Sequence, residues 1–215
     1  MSPRNSAGAA ESTGSALLAW RPRVSPQAPP VDLEAAEAAA ADLLVALGQP
    51  LDRDGMAQTP RRMAQAYAEM LTAGVFDLTA FPNTEGYDEL VLVEDIPVRS
   101  VCEHHILPFV GVAHVGYLPD ERILGLSKFA RVVELFSHRA QTQERLTKQV
   151  AEYLQDQLSP RGVGVVIEAE HTCMSLRGVR AVGARTVTSA LFGTLRENPS
   201  SRAEFLSLAR RHRDA

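Results

Sequence analysis

Several absences narrow the field before any motif is considered. No apolar run approaches the length of a membrane span, and Ala16-Leu17-Leu18-Ala19-Trp20 is too short for a signal-peptide core. There is no excess of basic residues. A net charge of -4 argues against a general nucleic-acid coat or a protein spread on an anionic membrane, while leaving room for a local basic pocket. Cysteine is scarce, with two in 215 residues. Few cysteines and no secretory signal point to the cytoplasm, where thiols stay free to bind metal. What remains, 45% apolar and 22% charged residues, is the make-up of one globular domain with appendages.

The two cysteines are not scattered. Cys102 sits in Ser100-Val101-Cys102-Glu103-His104-His105, and Cys173 ends His171-Thr172-Cys173. Two such residues alone would fit a disulfide or two small buried hydrophobes. Their histidine neighbours favour a metal instead. Cys102 and His105 are spaced C-x-x-H, close enough for one turn to aim both at an ion, and Cys173 makes a third ligand. Three protein ligands leave one tetrahedral position open, which separates a catalytic zinc site from a closed structural one. His104 and His171 are then spare imidazoles suited to moving protons near neutral pH. In outline this is a hydrolytic site.

Along the chain, residues 1–30 mix Ser, Gly, Ala and Pro without periodicity and read as a disordered tail. Residues 31–78 form a helical region. Apolar residues from Leu33 to Leu47 follow helical spacing, and a second helix opens at Thr59-Pro60 with Met63, Ala66, Tyr67, Met70 and Leu71 as its buried stripe. Arg62 lies in that helix's first turn and would suit an anion held there. Residues 79–215 form the catalytic domain. Leu90, Leu92, Ile96, Val98 and Cys102 share one strand parity, and Gly111–Tyr117 continues as strand. Two helices follow, the first capped by Ser127, the second running from about Thr142 to Leu158. Val163, Val165, Ile167, Ala169, His171 and Cys173 then fall on one face of a strand, which puts His171 and Cys173 side by side. Thr186–Leu191 is a last strand, and Ser201-x-x-Glu204 reads as a capping box on a short C-terminal helix. The order implies an α+β fold, two helices on one face of an antiparallel four-stranded sheet, whose open edges call for pairing with copies of itself.

A second constellation accompanies the first. Ser127-Lys128-x-x-Arg131 lies at a helix start, where N–H groups and two cations can hold phosphates. Arg177 follows Cys173 by four residues. Gln143-Glu144 opens another helix, where the carboxylate either complements the helix dipole or accepts the paired donors of a guanine edge.

Together, Cys102-Glu103-His104-His105, Gly125-Leu126-Ser127-Lys128, Gln143-Glu144-Arg145-Leu146-Thr147 and His171-Thr172-Cys173-Met174-Ser175-Leu176-Arg177-Gly178 resemble the motif set of GTP cyclohydrolase I, over about Asp32 to Leu208. The resemblance implies a tunnelling fold, with sheets joined into a barrel in a large homo-oligomer, typically a decamer, and active sites at subunit interfaces. It implies GTP as substrate, opened at its imidazole ring to formate and 7,8-dihydroneopterin triphosphate on the way to folate or tetrahydrobiopterin. Cys102, His105 and Cys173 then match Zn2+ ligands, and His104 and His171 match the proton-transfer histidines. Glu144 with Gln143 matches the guanine anchor. Ser127, Lys128, Arg131, Arg177 and Arg62 match ribose and triphosphate contacts. Gln65 departs from the lysine that some members carry there. A three-histidine pterin synthase of the same fold is contradicted by the cysteines, whereas a structural zinc module would need a closed four-ligand shell.

Overall fold

The structure is a computed structural model and describes residues 30–209. Apart from Pro30, the expected tail lies outside the described residues. Helix α1 (Leu33–Ala46) starts at Asp32, whose carboxylate accepts the Ala35 N–H at 2.9 Å, and stops before Gly48 at φ +73°. It packs on α2 (Thr59–Leu71), which carries Pro60 in its first turn. No helix among the described residues is long and apolar enough to cross a membrane.

The body is a sheet with two long helices on one face and a short C-terminal helix against one end of the other. Strand β1 (Ala80–Pro82) pairs outside the main sheet with β4 (Arg122–Leu124). Strands β2 (Val91–Cys102) and β3 (Leu107–Leu118) form a long antiparallel hairpin. After β4 come α3 (Ser127–Ser137), the two-residue β5 (Ala140–Gln141), and α4 (Gln143–Leu158). Strand β6 (Gly162–His171), the single turn α5 (Thr172–Ser175), β7 (Arg185–Gly193), α6 (Thr194–Glu197) and α7 (Pro199–Leu208) complete the chain. The main sheet has the order β5-β2-β3-β6-β7. It therefore has five strands, not four. The addition is β5, parallel to the end of β2, which is too short to carry any periodic signal.

Helices α3 and α4 bury Phe129, Val132, Leu146, Val150 and Leu154 against the inward residues of β3 and β6. Period two holds in β6, where Val163, Val165, Ile167 and Ala169 all face this core. It fails in β2. From Val93 to Ile96 the strand advances three residues while β3 advances two, from Val115 to Ala113, with Asp95 at φ +53°. One extra residue reverses every side chain before it. Val91 and Val93 thus face the helices, and Leu90 and Leu92 face the opposite side, correcting the expected single parity.

That opposite side is covered at one end by Phe205 of α7, fully buried with Leu118, Val166 and Leu195. The phenyl ring sits over Gly116 and Gly164. A Cβ on Gly164 would lie 2.6 Å from the ring, so the absence of a side chain makes the seat. Helix α7 is capped by Asn198, which accepts from Ser200 and Ser201 N–H, with Pro199 at its first position. Ser201 and Glu204 lie inside it, correcting the expected capping box; Asn198 and Pro199 fix the start three residues earlier. Similarly, Ser127 is the first residue of α3, not its cap, and no side chain caps that helix.

Candidate metal centre and active site

The motif Cys102-Glu103-His104-His105 is the tip of the β2–β3 hairpin. Cys102 pairs with Leu107, and the residues between them form the turn. The Cys102 carbonyl accepts from the N–H of His105 (3.3 Å) and Ile106 (2.8 Å), which folds the turn back over the end of β2. Glu103, between the two candidate ligands, is held by Arg145 of α4 through paired bonds of 2.6 and 2.7 Å. The hydrogen bonds from this guanidinium pull the Glu103 carboxyl below its usual range.

Cys173 arrives from the far side of the sheet. Strand β6 ends at His171, and Cys173 lies on the helical turn α5, not on the strand as period two implied. The reason is local: the Thr172 hydroxyl donates to Pro108 O at 2.5 Å, pinning the first residue of α5 against β3. The turn carries Cys173 towards the hairpin tip, with the two sulfurs 4.0 Å apart. Cys102 Sγ lies 3.9 Å from His105 Nδ1, and the donor atoms of Cys102, His105 and Cys173 all fall within 4.8 Å of one another. A tetrahedral zinc with its usual bond lengths needs S–S and S–N separations of about 3.8 and about 3.6 Å. The trio fits with little movement. His104 Nδ1 also approaches Cys102 at 3.9 Å, yet His104 is not part of the mutually close set. Burial and the neighbouring Cys102 push the Cys173 thiol up, so a second thiolate there calls for a cation.

His171 is held on two sides. Its ring stacks on Phe109, its cross-strand partner, at 4.5 Å and 11°. Its Nε2 lies 2.8 Å from Gln143 Oε1. The Gln143 amide nitrogen faces Ile167 O (3.0 Å), Thr186 O (2.9 Å) and the Thr188 hydroxyl (3.1 Å). Carbonyls only accept, so the NH2 end must point at them and Oε1 must point at His171. Nε2 of His171 therefore carries the proton, and Nδ1 of the neutral ring holds the lone pair. Burial lowers the pKa of His171, while the charge of Glu144 opposes the shift.

The chain as a whole matches a known family over the same stretch. The family description "GTP cyclohydrolase I" covers residues 36–210. The chain belongs to the GTP cyclohydrolase I family. Among curated relatives, GTP cyclohydrolase 1 of Mycolicibacterium paratuberculosis is 54% identical over 82% of this chain and 89% of its own length. That of Mycobacterium tuberculosis is 53% identical over 82% and 90%. That of Gloeobacter violaceus is 50% identical over 77% and 79%. The solved apo structure of an archaeosine synthase QueF-like protein shares 21% identity, covering 48% of this chain and 93% of its own, at a TM-score of 0.39, too weak a likeness to bear on function.

In this GTP cyclohydrolase I family member, one chain brings together Cys102, His104, His105, Cys173, His171 and Gln143, with Glu144 close enough to act on His171. The Gln143 side chain is buried, with its amide nitrogen bonded to the sheet and its amide oxygen to His171, whereas Glu144 beside it is exposed. The cationic candidates sit on separate elements. Arg62 donates to Gly55 O at 2.9 Å, Arg131 pairs with Glu134 at 3.0 Å, and Lys128 lies 5.9 Å from the Phe76 ring centroid. Ser127 opens α3, and Arg177 follows α5 closely enough for its charge to act on Cys173. Sequence reasoning misses Arg145 and Phe109; the signal for Arg145 is Glu103, a carboxylate between two candidate ligands and in need of a partner.

Proposed function

We propose that this chain is a metal-dependent GTP cyclohydrolase that opens the imidazole ring of GTP, releases C8 as formate and yields 7,8-dihydroneopterin triphosphate. The observation that carries the reading is the three-donor set of Cys102, His105 and Cys173 beside an oriented His171 in a chain of this family. Zn2+, held by those three residues, would supply the Lewis acidity that makes water nucleophilic at neutral pH.

The protein's own groups do the rest. Glu144, in the first turn of α4, accepts the paired N–H donors of the guanine edge and sets C8 facing the thiols. His171 presents Nδ1, the atom with the free lone pair, and moves a proton there; neutral at rest, it takes one up and returns it to the departing nitrogen. His104, exposed at the hairpin tip, serves as the second proton carrier. Ser127 and Lys128 at the start of α3, with Arg131, Arg177 and Arg62, supply polar and positive groups for the triphosphate. Their distribution over separate elements supports sites completed between subunits. Among the described residues the outer edge of β7 has no partner, and closing such edges between copies gives the tunnelling-fold barrel, a decamer in our reading. Free thiols support a cytoplasmic enzyme. Residues 31–78 act as a helical arm on the catalytic domain 79–215.

Purified protein incubated with GTP should release formate and, after oxidation, fluorescent neopterin, and a chelator should abolish both. Release of inorganic phosphate without formate would reassign the chain as a phosphohydrolase.

A further inference from the structure

The hairpin tip ends in an unusual residue. Ile106 adopts φ +53°, a left-handed conformation that glycine or asparagine takes readily and a β-branched residue resists. Such a backbone persists only where its surroundings hold it. Two bonds do so here. The Ile106 N–H donates to Cys102 O at 2.8 Å, within the turn, and the Ile106 carbonyl accepts from the Tyr67 hydroxyl of α2 at 3.1 Å. The second bond comes from the helical arm, 39 positions away in sequence. The Ile106 side chain lies with Met63, Tyr67 and Leu71 of α2 in one apolar groove.

We propose that Tyr67 is a positioning residue for the metal centre: by holding the Ile106 carbonyl it keeps the strained end of the turn in place and His105 within reach of the two sulfurs. The inference rests on the reading of Cys102, His105 and Cys173 as metal ligands. Without the phenol, Ile106 relaxes towards extended backbone, the peptide joining it to His105 rotates, and the imidazole leaves the donor set. Tyr67 is not one of the three donors. Its effect runs through one backbone oxygen.

This makes a non-additive prediction. The full-length protein, stripped of metal, is titrated with Co2+ against a competing chelator, with the visible absorption of the Co2+–thiolate site as readout and the thermal midpoint of the metal-free form alongside. Tyr67→Phe should weaken Co2+ binding about 10-fold, as expected for loss of an outer partner of a ligand. In an Ile106→Gly background, where the left-handed backbone carries no penalty, the same tyrosine change should cost less than about threefold. Ile106→Asn provides the same test with less added chain freedom. Equal losses in both backgrounds would mean that Tyr67 acts through helix packing alone and would overturn the proposal, as would Tyr67→Phe binding like the wild type. A wild type that takes up no Co2+ would instead remove the metal reading itself.

Discussion

Replacing Gln143 by leucine tests the buried polar joint behind His171. The two side chains are close in volume, so packing is largely kept while the amide is lost. Four groups lose a partner: Ile167 O, Thr186 O, the Thr188 hydroxyl and His171 Nε2. Thr188 can still bond Thr147, 2.6 Å away, and the carbonyls lie on paired strands. The uncompensated loss is then close to two buried polar groups, about 2–6 kcal/mol at 1–3 each. For a domain of this size that lowers the thermal midpoint by ~5–25 °C. The functional effect is separable. With Oε1 gone, nothing holds the proton on Nε2, and His171 should populate both tautomers. Part of the 10²–10⁴-fold that a placed proton carrier contributes is then lost, and we expect kcat to fall roughly 10–100-fold with little change in KM. Long-range nitrogen–proton NMR reads the tautomer directly, and steady-state formation of neopterin reads the rate. Wild-type His171 carrying its proton on Nδ1 would refute the orientation deduced from the carbonyls. Scrambled tautomers with an unchanged kcat would refute the need for it.

Three further outcomes are expected. Gly164→Ala places a methyl 2.6 Å from the Phe205 ring and should cost about 1–3 kcal/mol by overpacking, recovered in part by Phe205→Leu in the same chain; urea midpoints decide it. Cys173→Ser should leave the protein folded and assembled while metal content and formate release collapse, so global unfolding by circular dichroism would favour a structural metal instead. Glu103 titrates below its ordinary value near 4.5 because Arg145 binds its charged form. The folded-state pKa is the lower one, so the pair's support for the turn is present above the unfolded value and lost as pH falls through the folded one. Thermal midpoints of wild type and Arg145→Ala should therefore differ at neutral pH and converge in acid; a gap that persists in acid would mean the arginine acts by packing.

Legibility followed periodicity and chemistry. The helices α2, α3 and α4 and the inward face of β6 were readable because long amphipathic repeats report burial directly. The metal trio was readable because Cys and His are scarce and sat in two compact groups. What failed were single-residue events. The bulge in β2 hides in Val93-Glu94-Asp95-Ile96, where nothing in composition marks an extra residue, yet it reverses the parity of Leu90 and Leu92. Strand β6 gives way to a helical turn at Thr172 because of one hydroxyl bound to Pro108, a contact 64 positions distant. Gln143 read as opening a helix beside Glu144, and its burial was not legible because its partners come from β6 and β7. Pairings of this kind are set by tertiary placement, which a local pattern does not encode.

The separation of Cys102 and Cys173 by 71 positions fixes an order of events. Two donors are available as soon as one hairpin closes, but the third reaches them only after two helices and the next strand have docked. A nascent chain at the hairpin stage offers a thiol and an imidazole, too few to retain an ion against competing cellular chelators. In the metal enzyme proposed above, uptake would thus follow maturation of the subunit, and a seated ion would tie together parts of the polypeptide that loop closure keeps apart while the chain is unfolded.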